Sequence, residues 1–130
     1  MKKRHIILLI FLAGLLTICI ALVLIEFQTK IIRHYIDDIL YDNYDHYLSC
    51  EKLPTVSEVE AALSAHQDVI QRIEGMNPGQ VIVEMEIYEV KCPGKADLII
   101  HYPSHQNQLE IEEILGGKTF FGIPCRWQNW

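Results

Sequence analysis

The cysteines are the residues whose chemistry is easiest to anticipate. Cys19 lies within a long apolar run, whereas Cys50, Cys92 and Cys125 follow it. In an oxidising compartment, three thiols allow one internal disulfide and leave one thiol over. The element order described below places Cys50 and Cys92 at the same end of the fold. We therefore predict a Cys50–Cys92 disulfide; three reduced thiols are the alternative if the chain inserts in the inverted orientation.

A short glycine motif invites comparison with nucleotide-binding proteins. Gly116-Gly117-Lys118-Thr119 resembles the end of a phosphate-binding loop. Such a loop needs another glycine where this chain has Glu112, and its glycines must open a helix rather than end one. We therefore predict no nucleotide binding.

Histidines and carboxylates do not form a recognisable metal or catalytic pattern. Asp42 and His46 are four residues apart, which on a helix suits Zn²⁺, but two ligands do not make a site. His101 and His105 share that spacing, yet Pro103 interrupts any helix between them. No acid, base and nucleophile fall into a known catalytic arrangement. We predict no metal, no other cofactor and no enzymatic activity.

An uncharged run from Ile6 to Ile25 dominates the N-terminal part of the chain. Twenty helical residues span about 30 Å, the thickness of the hydrocarbon core of a bilayer. Basic residues are retained in the cytoplasm, so Lys2, Lys3 and Arg4 predict a cytoplasmic N-terminus. We predict a cytoplasmic tail over 1–5, a transmembrane helix over 6–26, a helical stalk over 27–53 and an extracytoplasmic domain over 54–130 of a single-pass cell-membrane protein.

Three other interpretations of the apolar run are less consistent with its residues. A cleaved signal peptide has a shorter apolar region and ends in small residues, which Glu26-Phe27-Gln28 does not offer. A lipoprotein signal ending at Cys19 needs a small residue where Ile18 stands. A pilin leader resembles this layout but carries glutamate in place of Cys19. We retain the uncleaved anchor as the prediction.

The charge of the chain is concentrated after the apolar run. All 17 acidic residues lie at or after Glu26, against eight basic ones, which leaves a formal charge of −9 on that part. An acidic surface repels phosphate backbones, so we predict no nucleic-acid partner. The simplest alternative is that the charge only keeps the domain soluble.

Hydrophobic periodicity predicts a small α+β domain after the stalk. Apolar residues recur at helical spacing over 57–74, where Ser57 and Glu60 have capping-box spacing and Gly75 suits a left-handed cap. Alternating patterns predict strands over 81–90, 96–102 and 121–127, with a helix from Ser104 to Leu115 before the last strand. This α-β-β-α-β order resembles a ferredoxin-like sandwich lacking its first strand, which implies a right-handed crossover between two parallel strands.

The predicted function is that of a membrane-anchored accessory or interaction subunit docking onto a membrane complex. Helices on one face of the sheet would leave its other face free for a protein partner, and we predict contacts through Tyr88, Ile99, His101 and Trp130. The alternative is an extracytoplasmic module that senses a ligand or ion. That alternative predicts a pocket between stalk and domain lined by tyrosines and aspartates.

Overall fold

The computed structural model describes residues 2–130, with side-chain environments from Lys3 onward. The chain divides into two compact units, one ending at Ile36 and the other running from Asp37 to Trp130. The first unit is helical and the second is a mixed α+β domain.

The first unit contains a long apolar helix and a short second one. Helix α1 spans Lys2–Thr29, and α2 spans Ile31–Ile36 after a break at Lys30, which has a φ of +56°. The carboxylate of Glu26 accepts the Ile32 amide at 2.7 Å. Within the described residues, Lys3–Thr29 is the one helix long and apolar enough to cross a membrane, with a mean hydropathy of 3.2. Its apolar side chains are exposed, as expected of a surface that faces lipid.

The second unit is built on a small sheet. The strands are β1 Ile82–Tyr88, β2 Lys95–Tyr102, β3 Thr119–Phe120 and β4 Ile123–Asn129, in the order β1-β2-β4-β3. The helices are α3 Val56–Ala65, α4 Gln67–Glu74 and α5 His105–Leu115. Strands β1 and β2 are antiparallel, whereas β2 and β4 are parallel. The predicted parallel pair on either side of the α5 crossover is confirmed.

One face of the sheet packs against the three helices and forms the core. The side chains of Leu98, Ile100 and Tyr102 on β2 are fully buried beside Val59, Ile73 and Ile111 of the helices. Trp127 and Cys125 of β4 complete this layer. The alternation predicted for β2 and for residues 123–127 therefore places the expected side chains in the core.

Helix boundaries differ from the prediction in three details. The helix predicted over 57–74 is interrupted at His66, whose ring stacks on Phe121 with centroids 3.4 Å apart. The capping box consists of Thr55 and Glu58 rather than Ser57 and Glu60, because Thr55 is held beside Lys95 of β2 by a β-bridge. Gly75 keeps right-handed helical angles, so the predicted left-handed cap there is wrong.

The last strand begins later than predicted. Phe121 and Gly122 both have positive φ and form the turn between β3 and β4. Phe121 is therefore half exposed instead of lying in the core. Proline within a sheet is usually confined to edge strands, but Pro124 lies in β4, between β2 and β3. The missing proline amide is tolerated because the parallel pairing with β2 starts only at Cys125.

Residues 42–53 run along the domain instead of forming a helical stalk. Helical structure continues as one π-helical stretch, Asp37–Tyr41, and the following residues are irregular as far as a short 3-10 turn, Cys50–Lys52. Tyr44 exchanges two backbone hydrogen bonds with Trp127 of β4, at 2.9 and 2.8 Å. This segment, which we name the strap (residues 42–53), follows the sheet because β4 offers it unpaired backbone groups.

Candidate functional site

A buried carboxylate lies at the centre of the sheet face that points away from the helices. Asp97 occupies β2 between Ala96 and Leu98, and its side chain has no exposed surface. Alternation along the strand directs Asp97 away from the core that Leu98 enters. A charge in this position requires hydrogen-bond partners, because a buried unpaired carboxylate is very costly.

Three side chains from three different segments supply those partners. His46 of the strap lies 2.8 Å from the Asp97 carboxylate through its Nε2 atom. The Tyr88 hydroxyl donates to the same oxygen at 2.8 Å. The Arg126 guanidinium donates through Nε at 2.7 Å and through Nη2 at 2.9 Å, which makes the pair bidentate. Arg126 also pairs with Glu86 of β1.

The pKa directions in this cluster follow from burial and pairing. Burial alone would raise the pKa of Asp97, but the hydrogen bonds from His46, Arg126 and Tyr88 outweigh it and lower that pKa. Burial and the hydrogen bond to Asp97 both raise the pKa of the Tyr88 phenol. Burial works against the charge of Arg126, yet its bonds to Asp97 and Glu86 raise its pKa. The carboxylate is therefore ionised and the guanidinium charged at neutral pH.

This geometry suits attachment better than proton transfer. The Asp97 carboxylate accepts four hydrogen bonds, about as many as its lone pairs allow. A general base must be reachable by a substrate, and the Asp97 side chain has no exposed surface. Because His46 comes from the strap, the cluster joins the strap to β1, β2 and β4.

A second attachment point lies where the strap begins. Asp42 has a φ of +52°, and its backbone carbonyl accepts the buried Tyr102 hydroxyl. Its carboxylate lies 2.6 Å from His105 Nδ1 and accepts the Asn129 side-chain amide at 3.0 Å. The hydrogen bond to Asp42 raises the pKa of His105. Asp42 thus connects the strap to β2, α5 and β4.

The predicted cysteine pair is the third attachment. The Cys50 and Cys92 sulfur atoms lie at disulfide-bonding distance, with Cα atoms 5.3 Å apart and a separation of 42 residues along the chain. Cys125 is a free thiol in the core, where burial raises its pKa to about 12. Cys19 is a free thiol on α1. The oxidisable pair therefore lies at the end of the strap.

The four residues predicted to contact a partner lie in different environments. Ile99 is only 7% exposed, and the Tyr88 hydroxyl is already bonded to Asp97. His101 is mostly buried between Glu84, at 2.9 Å, and the Trp130 ring, at a centroid distance of 4.8 Å. Trp130 itself is 68% exposed. Ile99 was expected on a free face; it offers little contact area because the strap and its partners occupy that face.

A small cleft opens beside the Asp97 cluster. Its volume is about 220 Å³, below the range of about 300–1,000 Å³ usual for ligand pockets. Tyrosines and aspartates contribute much of its wall, together with one charged residue of the cluster: the lining is Asp37, Asn43, Tyr44, Asp45, Tyr47, Arg126, Trp127 and Gln128.

The motifs set aside in the sequence lie apart from one another. Asp42 and His46 lie outside any helix, and their side chains contact His105 and Asp97 respectively. Gly116, with a φ of +72°, ends α5 as a left-handed cap. From Lys3 to Trp130, no group of three or more histidine, cysteine or acidic side chains is placed to hold a metal ion.

The Asp97 cluster was not predicted from the sequence, although one signal was present. Asp97 is a charged residue inside the apolar stretch Ala96–Ile100, where a strand has little tolerance for charge. Arg126 similarly interrupts the last strand at an alternate position. A charge within each of two paired strands could have suggested an ion pair, but His46 and Tyr88 could not be assigned without the path of the strap.

No protein-family model matches the chain, and neither a curated protein nor a solved structure matches it significantly.

Proposed function

We propose that this chain is a single-pass membrane protein whose domain acts outside the cytoplasm as an accessory subunit of a membrane complex. The observation that carries the proposal is the exposed apolar helix α1, followed closely along the chain by a domain that contains a paired Cys50 and Cys92. An apolar helix of this length is stable in lipid, and a disulfide persists in an oxidising compartment.

The orientation follows from charge and from the cysteines together. Lys2, Lys3 and Arg4 precede the span, whereas a carboxylate, Glu26, lies at its other end. The positive-inside tendency places the basic end in the cytoplasm, and the disulfide requires the domain to be outside it. Two independent arguments therefore favour the same orientation in the cell membrane. The ferredoxin-like layout remains a proposal about the arrangement of elements.

An interaction role is favoured over catalysis because the most polar cluster of the domain is internally saturated. Asp97 and Arg126 are engaged with each other and with neighbouring side chains. What the domain presents to solvent is surface, including the exposed Trp130 ring beside His101. Tryptophan is enriched among residues that dominate binding energy at interfaces.

The test is recovery of the tagged full-length protein from native membranes after cross-linking, with quantitative mass spectrometry. We expect one membrane protein to be recovered in near-stoichiometric amount. Trp130→Ala should reduce its recovery several-fold, whereas Leu109→Ala, which removes a comparably exposed apolar side chain from α5, should not. Recovery of this chain alone, or only with further copies of itself, would contradict the proposal.

The cleft lined by tyrosines and aspartates favours one second candidate, an extracytoplasmic sensing module. The cleft of about 220 Å³ admits only a small polar solute. A melting shift of the full-length protein with a small cationic solute, lost in Asp45→Asn, would favour sensing over docking. An unchanged melting temperature across such solutes would remove this candidate.

A further inference from the structure

The outer edge of β1 is an unpaired strand edge. In the sheet order β1-β2-β4-β3, β1 has β2 on one side, and among residues 2–130 no strand lies on the other. The antiparallel ladder alternates, so every second residue of β1 directs its amide and carbonyl away from β2. An edge of this kind is a template for another strand unless it is blocked.

A single side chain reveals which residues point outward. The Val83 amide donates to the Glu74 carboxylate of α4 at 3.0 Å, so it is not part of the ladder with β2. Met85 and Ile87 share the parity of Val83, so their amides also point outward. Glu74 satisfies only the Val83 amide, which leaves the stretch from Met85 onward available. Ile87 is 45% exposed and Val90 is 93% exposed, consistent with an uncovered end of the strand.

The two faces of this edge differ in chemistry. Val83 and Met85 belong to the helix-facing side and are packed against the core. Glu84 and Glu86 lie on the opposite face, with side chains 54% and 44% exposed. A strand added here would therefore align alternate residues with an apolar row and the others with two carboxylates.

The charge pattern decides the kind of partner. A second copy paired antiparallel about Met85 would place Glu84 opposite Glu86 on the same face, and like charges opposite each other are destabilising. Basic side chains at those positions would instead pair with the carboxylates. A −9 formal charge after the membrane span also favours a cationic segment.

We propose that the free edge of β1, from Met85 onward, binds an extended segment of another protein as an added antiparallel strand in which basic and apolar residues alternate. The segment's apolar residues lie beside Met85 and Ile87, and its basic residues lie beside Glu84 and Glu86. This inference rests on the proposed accessory function and names the surface and the partner chemistry.

The geometry specifies which backbone groups of the partner matter. In an antiparallel pair, residues that exchange hydrogen bonds lie opposite each other with side chains on the same face. The outward groups of β1 belong to Met85 and Ile87, whose side chains lie on the helix-facing side. The partner's bonded amides must therefore belong to its apolar residues, not to its basic ones.

The probe is a fluorescein-labelled peptide of alternating lysine and valine, titrated against the full-length protein in nonionic detergent by fluorescence anisotropy. Methylation of the backbone nitrogens of the valines removes the amide hydrogen-bond donors that should face β1. Since each lost hydrogen bond contributes about 1 kcal/mol, we expect binding at least about tenfold weaker. N-methylation of the lysines preserves the charge and should change affinity less than about twofold by the same reasoning.

Protein variants test the same edge from the other side. Met85→Pro removes an outward amide, a substitution that an edge strand tolerates, whereas Met85→Ala keeps the amide and removes the side chain. Met85→Pro should weaken binding more than Met85→Ala. Glu84→Gln should weaken it too, and Glu113→Gln on α5 should not. The N-methylated peptides need only the unaltered protein, so the test survives a variant that does not fold.

Two outcomes overturn the edge proposal: equal binding of both N-methylated peptides, or loss of binding with N-methylated lysines alone. The accessory function is judged separately by partner recovery from membranes. A partner recovered by both the unaltered chain and Met85→Pro would leave that function standing while the edge proposal fails. A peptide that binds with the expected N-methyl pattern, without any membrane partner, would support the edge and contradict the function.

Discussion

At the scale of single residues, Asp97 shows how a polar side chain can organise a small domain. It is fully buried, yet its partners come from the strap, β1 and β4. Because the buried charge needs hydrogen-bond partners, the network brings together segments that are distant along the chain. Its members bond to one another, and the network therefore joins these segments.

Asp97→Ala should destabilise the domain by about 3 kcal/mol at neutral pH, because it leaves Arg126 and His46 with buried groups that have lost their acceptor. The measurement is urea unfolding of the full-length protein in detergent, followed by tryptophan fluorescence. The folded pKa of Asp97 is lowered, so its contribution is complete above the unfolded pKa, near 3.9, and is lost as pH falls through the folded pKa. The difference between the two proteins should therefore shrink in acid.

The matched control is Glu84→Ala, which removes a carboxylate that is half exposed on the neighbouring strand. Exposed ion pairs contribute little, so this variant should lose no more than about 1 kcal/mol. Equal losses from the two substitutions would contradict the role assigned to the Asp97 cluster.

At the scale of elements, the strap is the feature that changes the interpretation of the domain. Three of its residues attach it to the domain. Asp42 bonds to residues of β2, α5 and β4, His46 bonds to Asp97, and Cys50 pairs with Cys92. The predicted helical stalk ends at Tyr41, and the residues after it leave the helix because they bond to partners in the domain. Through His46 the strap reaches Asp97 on the sheet face that was expected to be free.

Replacing both Cys50 and Cys92 with serine should lower the free energy of unfolding by about 2–4 kcal/mol, since the crosslink no longer restricts the unfolded chain. Chemical denaturation of the full-length protein without reductant measures this loss. Cys19→Ser serves as the control, because it also removes a thiol but lies on α1 outside the domain. Labelling of both Cys50 and Cys92 by a maleimide in native membranes, before reduction, would contradict the disulfide.

At the scale of the whole molecule, charge is distributed unevenly along the chain, and we propose that this distribution sets its orientation in the membrane. Three basic residues lie at the start of α1, ahead of its apolar run, and the acidic residues follow that run. The helix by itself is compatible with either orientation, so the flanking charges carry the bias.

Changing Lys2, Lys3 and Arg4 together to glutamate should reduce export of the domain, because the residues that retain the N-terminus in the cytoplasm are lost. Alkaline phosphatase fused after Trp130 reports export through its activity. The control reverses the same number of charges at the exposed Lys52, Arg72 and Lys91 of the domain. Equal phosphatase activity in the unaltered chain, the N-terminal variant and the control variant would contradict the proposed orientation.

Much of the architecture could be predicted from local patterns alone. Twenty uncharged residues identify an apolar helix because lipid is the solvent in which such a helix is stable. The alternating pattern predicted β2 and β4 to within a few residues of their observed bounds, and the glycines predicted the end of α5. These signals depend only on near neighbours in the sequence. The proximity of Cys50 and Cys92 also followed, because a hairpin returns to the end from which its helix started.

Only the tertiary structure decided the features that depend on distant residues. The path of the strap depends on Trp127, Tyr102 and Asp97, which lie more than fifty positions away from their strap partners. The break at His66 depends on a ring, Phe121, that local pattern placed in a strand. The sequence by itself determined the long apolar helix, the α+β composition and the acidic character, because each arises from composition or short-range periodicity. The closure of the sheet face and the availability of the β1 edge were decided by folding, since both depend on which segments meet in space.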